Sequence, residues 1–408
     1  MGKKIAIIGA GPAGIYAAAF LKNFDGEVHL FEQNINLGEK LRFTGGGRMN
    51  ITNKKFGVDQ FFSSNKNLLK NLFKAPVFKQ REKLFKDLGV KYKWEGDRAI
   101  LSSENAVKEV DRMRDLLAQQ KNLVSHLNSR VLEARKQDDR FLLEYIYDNS
   151  YRQEFFDVVV LACGGMFRIK DVIEKEKIYK LPLLFGHTIT DLRPVLCPIF
   201  LEFNPFGKLA GISVKAKISD LGAKISVEDH LLFTHRGISG PAGLDFTALY
   251  EKGPVEINFL PDVSLKIFEK EFNKMRKGKH VVRSYLKKLF PERVADFFLN
   301  TSGIALDMCG ADLPKENFKN LSKTIFHFEL KDFKFFGYKH AWTTKGGVPL
   351  GEVNVSTLES KLQEDLYFAG EILDVNGLCG GYNISFACIS AKIVSSAILA
   401  PARKPSRR

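Results

Sequence analysis

Three glycines near the N-terminus and one acid downstream have the spacing of a dinucleotide-binding turn. Gly9, Gly11 and Gly14 form the pattern G-x-G-x-x-G, and Glu32 lies eighteen residues after the third glycine. The first glycine makes a tight turn, the second lets the backbone approach a pyrophosphate, and the third packs a helix on a strand. Glu32 would accept hydrogen bonds from ribose hydroxyls and repel a 2′-phosphate. We therefore expect FAD or NAD here, and not NADP.

These residues need a strand, a turn and a helix to position them. Residues 4–8 are apolar and predict a short buried strand, and the glycines open a helix that runs to about Lys22. Residues 27–31 predict a second strand that ends at Glu32. The N-terminus of the helix would then favour the negative charge of the pyrophosphate.

The same N-terminal letters can also be interpreted as a secretory signal. Two lysines precede the uncharged run from Ile5 to Leu21, which contains three consecutive alanines. A signal peptide accounts for none of the downstream spacing. We therefore predict the nucleotide-binding turn, a chain that keeps Met1 or Gly2, and a cytoplasmic location.

A second glycine cluster follows Glu32 closely. In the segment GEKLRFTGGGRMNITN, Gly46 and Gly47 precede Arg48 and Asn50. Such a loop can press its backbone against a planar or anionic ligand. A surface turn is the alternative interpretation. The proximity to the nucleotide-binding turn favours contact with the cofactor.

Near the C-terminus, a predicted strand runs into another group of polar residues and glycines. Glu371 and Asp374 follow the strand, and Gly380, Gly381 and Asn383 begin a helix. An acid there can hold a ribityl hydroxyl, and a glycine-led helix N-terminus can place N–H groups at the pyrimidine edge of a flavin. This pattern favours a flavin nucleotide.

With these motifs the sequence resembles the BaiN-like (YhiN-type) bacterial FAD-dependent flavoproteins, which are also similar to aminoacetone oxidase. The resemblance covers nearly the whole chain. It is carried by residues 9–14, 44–53, 232–247, 343–361 and 367–383.

The resemblance implies non-covalent FAD and a set of residues that bind it. Those residues are Ala13, Glu32, Gln33, Gly47, Arg48, Asn50, Val131, Glu371, Asp374 and Asn383. Val131 begins a strand whose counterpart in related flavoproteins contacts adenine through its backbone. The chain departs from the family pattern at Met49, where a cysteine is usual, and at 166–187, where a charged segment replaces a Ser/Pro/Gly-rich loop.

Composition places the chain among ordinary globular proteins. It has 408 residues, of which 45% are hydrophobic and 27% charged. Its five cysteines form no C-x-x-C pair, so we predict neither a disulfide framework nor a metal site. No apolar run after Leu21 approaches the roughly 20 residues of a transmembrane helix, so we predict no membrane partner.

The formal net charge of +15 attracts anionic partners. A lysine-rich, solvated surface explains such a charge as well as a nucleic-acid site does. Because no recognised nucleic-acid module is present, a nucleic-acid partner is possible but not favoured. Residues 401–408 form a Pro- and Arg-rich basic tail.

The order of predicted elements indicates an α/β fold with a discontinuous, Rossmann-like FAD-binding domain. Its segments are 1–191 and 337–400. The first segment contains a helix predicted over 104–120, with Val107, Val110, Met113/Arg114 and Leu117 on one face, and a strand meander predicted over 129–161. Between the two segments we predict a β-rich barrel or sandwich at 192–263 and a small helical region at 264–336.

The sequence favours an FAD-dependent oxidoreductase that acts on a small organic substrate by hydride transfer. The alternatives are a tRNA-modifying flavoenzyme and a flavin-binding protein with a degenerate active site. No second G-x-G-x-x-G is present, so NAD(P)H, as a transient electron donor, would dock directly on the flavin. No catalytic residue is assigned. A structural role is favoured for His235, His340 and Cys379, each of which lies in or beside a glycine-rich loop.

Overall fold

In the computed structural model, the described residues are 2–167, 172–276 and 280–401. The predicted basic tail lies outside this range from residue 402 onward. The chain divides into two compact units. Unit 1 comprises residues 1–194 and 343–408, and unit 2 comprises residues 195–342. The domain boundaries suggested by the sequence stay predictions.

Eleven α-helices form within the described residues. They are α1 (Pro12–Phe20), α2 (Lys66–Leu72), α3 (Arg81–Asp87), α4 (Ala106–Ala118), α5 (Val172–Leu184), α6 (Gly240–Leu249), α7 (Leu265–Arg276), α8 (Val282–Leu286), α9 (Glu292–Thr301), α10 (Lys315–Phe326) and α11 (Tyr382–Leu399).

The strands of the described residues, in chain order, are mostly short. They are β1 (Lys3–Ile8), β2 (Gly26–Phe31), β3 (Asn50–Asn53), β4 (Phe61–Phe62), β5 (Tyr92–Glu95), β6 (Arg98–Leu101), β7 (Leu123–His126), β8 (Ser129–Gln137), β9 (Arg140–Tyr147), β10 (Ser150–Phe156), β11 (Val158–Leu161), β12 (Arg193–Val195), β13 (Ile199–Leu201), β14 (Ser213–Asp220), β15 (Ile225–Thr234), β16 (Gly237–Ser239), β17 (Val255–Asn258), β18 (Phe328–Leu330), β19 (Phe333–Phe335), β20 (Thr343–Lys345), β21 (Leu366–Phe368) and β22 (Asn376–Gly377).

Unit 1 is built on a five-stranded parallel sheet in the order β21-β11-β1-β2-β7. Its central strands are continuous apolar runs buried on both faces, as parallel sheets require. The predicted strand, turn and helix at the N-terminus are confirmed as β1, the glycine turn and α1. The predicted α/β class is confirmed. The predicted meander after residue 129 is confirmed as β8 to β10, an antiparallel sheet.

Helix α11 returns the C-terminal segment to the core of unit 1. Ser385, Ser390 and Ser395 are fully buried on it, and their hydroxyls bond to backbone groups of other segments or of the preceding turn. The Ser385 hydroxyl donates to the carbonyl of Ile51 (2.9 Å), and that of Ser395 to the carbonyl of Ala17 (3.3 Å). The buried hydroxyls therefore have partners and fix α11 against β3 and α1.

By length and composition, α11 could also cross a membrane, with a mean hydropathy of 1.4 over 18 residues. The expectation that no such stretch follows Leu21 is therefore wrong. However, 67% of this stretch is buried within the protein, and a buried core helix passes the same test. This single helix is weak evidence for a membrane span, and the absence of a membrane partner stays a prediction.

Unit 2 contains a seven-stranded sheet in the order β18-β17-β14-β15-β16-β13-β19, with antiparallel pairs throughout. Helices α6 to α10 belong to the same unit, and large buried rings such as Phe206, Phe259 and Phe298 fill its core. Two features differ from expectation. Helix α6 lies in the range predicted as β-rich, and strands β18 and β19 lie in the range predicted as helical.

Helix α4 confirms the helix predicted over 104–120, with one difference. Val110, Met113 and Leu117 are buried as the periodicity indicates, but Val107 is exposed and Ala106 takes its place. Asn105 precedes the helix, and its side chain accepts the N–H of Lys108 (3.0 Å) and so caps the first turn.

A buried histidine, His187, lies just after α5 and connects that part of unit 1 to Glu352 and to Ser360. Nδ1 of His187 lies 2.8 Å from the Glu352 carboxylate, and Nε2 lies 2.8 Å from the Ser360 hydroxyl. The backbone N–H of Thr188 also donates to Glu352 (3.0 Å). Burial opposes ionisation of Glu352, but the hydrogen bonds from Thr188 and His187 outweigh it and lower the pKa of Glu352 below its ordinary value of 4.5.

We expect Glu352→Gln to lower the melting temperature at neutral pH, because the ionised carboxylate holds both Thr188 and His187. A lowered folded-state pKa means that this stabilisation is present above pH 4.5 and is lost as the pH falls through the folded value. The difference in melting temperature between the variant and the wild type should therefore narrow below pH 4.5. Thermal unfolding followed by circular dichroism measures it.

Glu133→Gln is the matched control, because Glu133 forms an exposed ion pair with Lys180 (3.0 Å) on the same unit. Its melting temperature should stay close to that of the wild type. A constant difference between Glu352→Gln and the wild type from pH 3 to 7 contradicts the assignment.

Candidate functional site

Four parallel strands of unit 1 end at the same edge of the sheet, and a polar or glycine-rich loop follows each. The glycine turn 9–14 follows β1, Glu32 follows β2, Gly164 and Gly165 follow β11, and Gly370 and Glu371 follow β21. The carboxyl edge of an open parallel sheet is where such folds bind ligands. The candidate site is therefore this edge.

The glycine turn is closed on one side and open on the other. Gly9 has a φ of +101°, and a Cβ at Gly14 would overlap the carbonyl oxygen of Gly9. Gly11 has an ordinary φ of −72°, and a Cβ there would meet no atom within 4 Å. No side chain caps the N-terminus of α1 at Gly11. The start of α1 at Gly11 therefore faces space that an anion can enter.

Glu32 fixes this turn to the end of β2. One carboxylate oxygen accepts the N–H of Ala10 (2.9 Å), and the other accepts the backbone N–H (2.9 Å) and the side-chain amide (2.6 Å) of Asn34. Burial raises the pKa of Glu32, against the opposing effect of the bonds from Asn34 and Ala10. The oxygen that bonds Ala10 retains capacity for one more donor.

The second glycine cluster forms an open loop. Gly46 and Gly47 have φ angles of +67° and +85°, and a Cβ at either position would meet nothing within 4 Å. Arg48 is partly exposed and pairs with Glu95 (2.6 Å) and Glu104 (3.1 Å). The chain then enters β3 at Asn50, beside a bulge in its pairing with β6.

Glu371 is the centre of a charged contact at the end of β21. Its carboxylate forms an ion pair with Lys40 and accepts the backbone N–H of Thr344 (2.9 Å). The ammonium group of Lys40 also lies 5.6 Å from the centre of the Phe167 ring. Gly165 also lies close, because a Cβ added there would be 2.6 Å from the Glu371 carboxylate. The sequence analysis did not identify three residues of this contact, which are Lys40, Thr344 and Gly165.

Asp374 and Asn383 use their side chains to build loops. Asp374 accepts the backbone N–H of Ser64 (2.7 Å). The side-chain amide of Asn383 pairs with both the N–H and the carbonyl of Gly377, each at 2.8 Å. Gly381 has a φ of +99° and begins α11 without a side-chain cap. Ligand contacts from the start of α11 would therefore come from backbone N–H groups.

Val131 and Gln33 lie beside Glu32. Gln33 is exposed, and Val131 lies on β8, at a bulge in its pairing with β9. The carbonyl of Glu32 accepts the N–H of Ser129 (2.7 Å), which holds the start of β8 next to the end of β2. This places Val131 two residues from the Glu32 contact.

Hydrogen bonds connect the remaining segments around the same edge. The N–H of Gly38 donates to the carbonyl of Ala10 (2.8 Å), and Asn53 donates to the carbonyl of Gly380 (3.3 Å). Together with the Lys40–Glu371 pair, these bonds connect the glycine turn, the second glycine cluster and the start of α11. The candidate residues come from both segments of unit 1.

The structure describes only part of the segment 166–187, where the sequence departs from the family pattern. Residues 168–171 lie outside the described residues. Met166 donates its N–H to the Thr344 hydroxyl (2.8 Å), and residues 172–184 form α5, with Pro182 inside it. Burial raises the pKa of the nearby Cys163 thiol to about 12, so this thiol is protonated at neutral pH.

The two histidines noted in the sequence lie in unit 2 and are exposed. His235 lies in the loop after β15, where its carbonyl accepts the side-chain amide of Asn204 (3.1 Å). His340 lies edge-on to Phe336 at 4.7 Å. Their role stays a prediction.

Comparison with known proteins identifies the family. A model described as "HI0933-like protein Rossmann domain" matches residues 3–397. This chain belongs to that family. The predicted resemblance and the Rossmann fold are therefore confirmed.

Three curated relatives cover nearly the whole chain. The chain is 29% identical over 399 residues to "3-dehydro-bile acid delta(4,6)-reductase" of Clostridium scindens, covering 94% of this chain and 96% of that protein. It is 30% identical over 391 residues to "Ribosomal RNA dihydrouridine synthase" of Haemophilus influenzae, with shares of 94% and 96%. For the Escherichia coli protein of the same name, the values are 29% over 392 residues, 94% and 95%.

Two glycine substitutions in the turn should have different effects, one on nucleotide binding and the other on folding. Gly11→Val should leave the protein folded, because its φ is ordinary and its Cβ meets no atom. It should abolish nucleotide binding, because the side chain fills the space in front of α1. Gly14→Val should instead prevent folding, because its Cβ overlaps the Gly9 carbonyl.

Circular dichroism, melting temperature and the flavin content of the purified variants distinguish these outcomes. Gly337→Val is the matched control, because Gly337 is exposed on unit 2 and an added Cβ there also meets no atom within 4 Å; it should keep both the fold and the flavin. A folded Gly11→Val protein with full flavin content would show that the turn does not bind the cofactor.

Proposed function

We propose that this protein, an FAD-dependent oxidoreductase, reduces a carbon–carbon double bond conjugated to a carbonyl group in a small organic molecule. The observation that carries the cofactor assignment is the open glycine turn at the carboxyl edge of the parallel sheet, with Glu32 hydrogen-bonded across it. FAD, when bound, supplies the hydride chemistry, so the chain need only bind and orient its partners.

The residues of the site suit the parts of FAD. The open start of α1 at Gly11 and Ala13 would bind the pyrophosphate, and Glu32 would accept a ribose hydroxyl. The backbone at Val131 would contact adenine. Gly47, Arg48 and Asn50 would lie along the isoalloxazine, and the N-terminus of α11 at Gly381 would place N–H groups at its pyrimidine edge.

Glu371 and Asp374 would lie beside the ribityl chain of FAD and hold the loops around it in place. Glu371 is already held by Lys40 and Thr344, so its orientation is set before any ligand arrives. Preorganised charged groups of this kind bind a ligand without a cost of reorganisation. Lys40 also supplies a positive charge near the proposed flavin position.

The reaction class rests on chemistry that the names of the relatives share. A delta(4,6)-reductase of a 3-dehydro bile acid saturates double bonds conjugated to a ketone, and a dihydrouridine synthase saturates the uracil double bond next to a carbonyl. In a reduction of this class, hydride adds to an electron-poor carbon of the conjugated double bond, and a proton completes the saturation. We propose the same class of substrate for this chain, with NAD(P)H as the electron donor.

Reduction of a uridine in RNA is the second candidate. It is favoured by the two relatives named for ribosomal RNA and by the net charge of +15, which would attract a phosphate backbone. The two candidates differ in substrate size and in salt dependence. RNA binding should weaken steeply with salt, whereas binding of an uncharged enone should not.

The purified protein should be yellow, with absorbance bands near ~370 and ~450 nm and FAD released on denaturation, because the chromophore is that of the cofactor. A colourless protein whose melting temperature does not rise with added FAD would contradict the proposal. This measurement does not depend on the identity of the substrate.

Anaerobic reoxidation then identifies the reaction class. The flavin is reduced with light or NAD(P)H and mixed with a conjugated 3-oxosteroid, with its saturated analogue as the control, and with a uridine-containing RNA. Reoxidation by the conjugated compound alone supports the first candidate, and reoxidation by RNA alone supports the second. Reoxidation by none of them, in yellow protein, contradicts the proposed reaction class.

Glu32→Gln should weaken FAD binding by roughly 1–3 kcal/mol, the scale of a hydrogen bond to a charged acceptor. The amide oxygen can still accept the N–H of Ala10 and so keep the turn joined to the end of β2, whereas the amide NH2 group cannot accept the two bonds from Asn34. Isothermal titration of FAD into apoprotein measures the change. Unchanged affinity in a folded variant would remove Glu32 from the binding site.

A further inference from the structure

Three possible metal ligands converge on one face of the parallel sheet, next to Glu32, whose backbone N–H donates to the carbonyl of His126 (2.9 Å). They are His29 on β2, His126 on β7 and Glu154 on β10. Nδ1 of His29 lies 2.9 Å from Nε2 of His126 and 4.0 Å from Oε2 of Glu154. One ligand atom from each residue lies within 4.8 Å of the other two. We call these three residues the His29 cluster.

The neighbours of the His29 cluster orient its ligand atoms inward. Nε2 of His29 lies 3.2 Å from the carboxylate of Glu27. A proton on Nε2 that bonds Glu27 leaves the lone pair of Nδ1 facing His126 and Glu154. A carboxylate behind a histidine is the usual second partner of a metal-binding imidazole. Lys4 holds the other oxygen of Glu154 (2.9 Å), which leaves Oε2 on the side of the histidines.

Aromatic packing fixes both rings. His126 is stacked on Phe31 with ring centres 4.4 Å apart, and His29 lies edge-on to Phe156 at 5.1 Å. His29 is 4% exposed, whereas His126 and Glu154 are partly exposed, so an ion from solvent can reach the cluster.

We propose that His29 Nδ1, His126 Nε2 and the Glu154 carboxylate form a binding site for a divalent first-row transition-metal ion, with water in the remaining positions. Two imidazoles and one carboxylate are a ligand set for such ions, and open positions are typical of it. The sequence prediction of no metal site rested on cysteine spacing, which does not report on histidines from separate strands.

The distance between the two histidine nitrogens indicates the coordination geometry of the ion. Metal–nitrogen bonds are about 2.0–2.1 Å long. Two nitrogens 2.9 Å apart would then subtend an angle of about 90° at the ion. This angle suits octahedral or square-pyramidal ions such as Ni²⁺, Co²⁺ or Cu²⁺ better than tetrahedral Zn²⁺.

Metal binding requires two local changes and no net loss of protons. The proton on His126 Nε2, which bonds His29 in the absence of metal, moves to Nδ1 of the same ring. The Glu154 carboxylate turns Oε2 toward the ion. Lys4 keeps Glu27 as an ion-pair partner at 3.1 Å, so its charge stays paired. The buried His–His contact is thereby replaced by coordination.

Isothermal titration of tag-free protein, loaded with its cofactor, with Ni²⁺ and with Co²⁺ tests the site. We expect one ion per chain and a higher melting temperature with the metal. X-ray absorption at the nickel edge should show two imidazole ligands. His126→Phe, which keeps the stacking on Phe31, and Glu154→Gln, which keeps an acceptor for Lys4, should each lower the affinity at least about tenfold.

His327→Phe is the matched control, because His327 forms a single exposed pair with Glu256 (3.1 Å). It should leave the stoichiometry and affinity unchanged. The proposal is overturned if the wild type binds no ion, if folded Glu154→Gln and His126→Phe proteins bind as tightly as the wild type, or if His327→Phe removes the ion.

Discussion

The hydrogen bond between the Glu32 carboxylate and the N–H of Ala10 is the contact on which the candidate site depends. It joins the turn after β1 to the end of β2, so it sets the separation between the open start of α1 and the acid. Burying a carboxylate costs several kcal/mol unless donors surround it. Ala10 and Asn34 provide three such donors, each bond worth about 1.5–3 kcal/mol to a charged group. The raised pKa of Glu32 shows that burial still outweighs these donors.

The second constraint is the close approach of the two segments of unit 1. A Cβ at Gly370 would lie 2.7 Å from that of Ala13, so β21 can end beside α1 only with a glycine there. The Ser390 hydroxyl accepts the N–H of Gly370 (2.9 Å) and holds it against α11. Small residues and buried hydroxyls thus bring Glu371 to the edge where the glycine turn lies. A discontinuous domain can form one site because these contacts are short and specific.

The features predicted correctly from the sequence are those encoded by local spacing. The turn, α1, β2 and the glycine start of α11 each depend on residues a few positions apart, and the structure has them close to the predicted bounds. Features that depend on distant residues were missed. Lys40 and Glu371 are 331 positions apart, and His29 and His126 are 97 apart. Nothing in either local pattern indicates the partner.

Most of the polar side chains named for the candidate site bond to other groups of the protein. The amide of Asn383 closes the loop at Gly377, Asp374 holds Ser64, and Arg48 pairs with Glu95. What remains open toward a ligand is mainly backbone, at Gly11, Gly46 and Gly47. Backbone N–H groups recognise the phosphates and ring edges of a cofactor. They therefore contribute no preference among substrates. Selection of the substrate must therefore come from other residues, which the glycine motifs do not reveal.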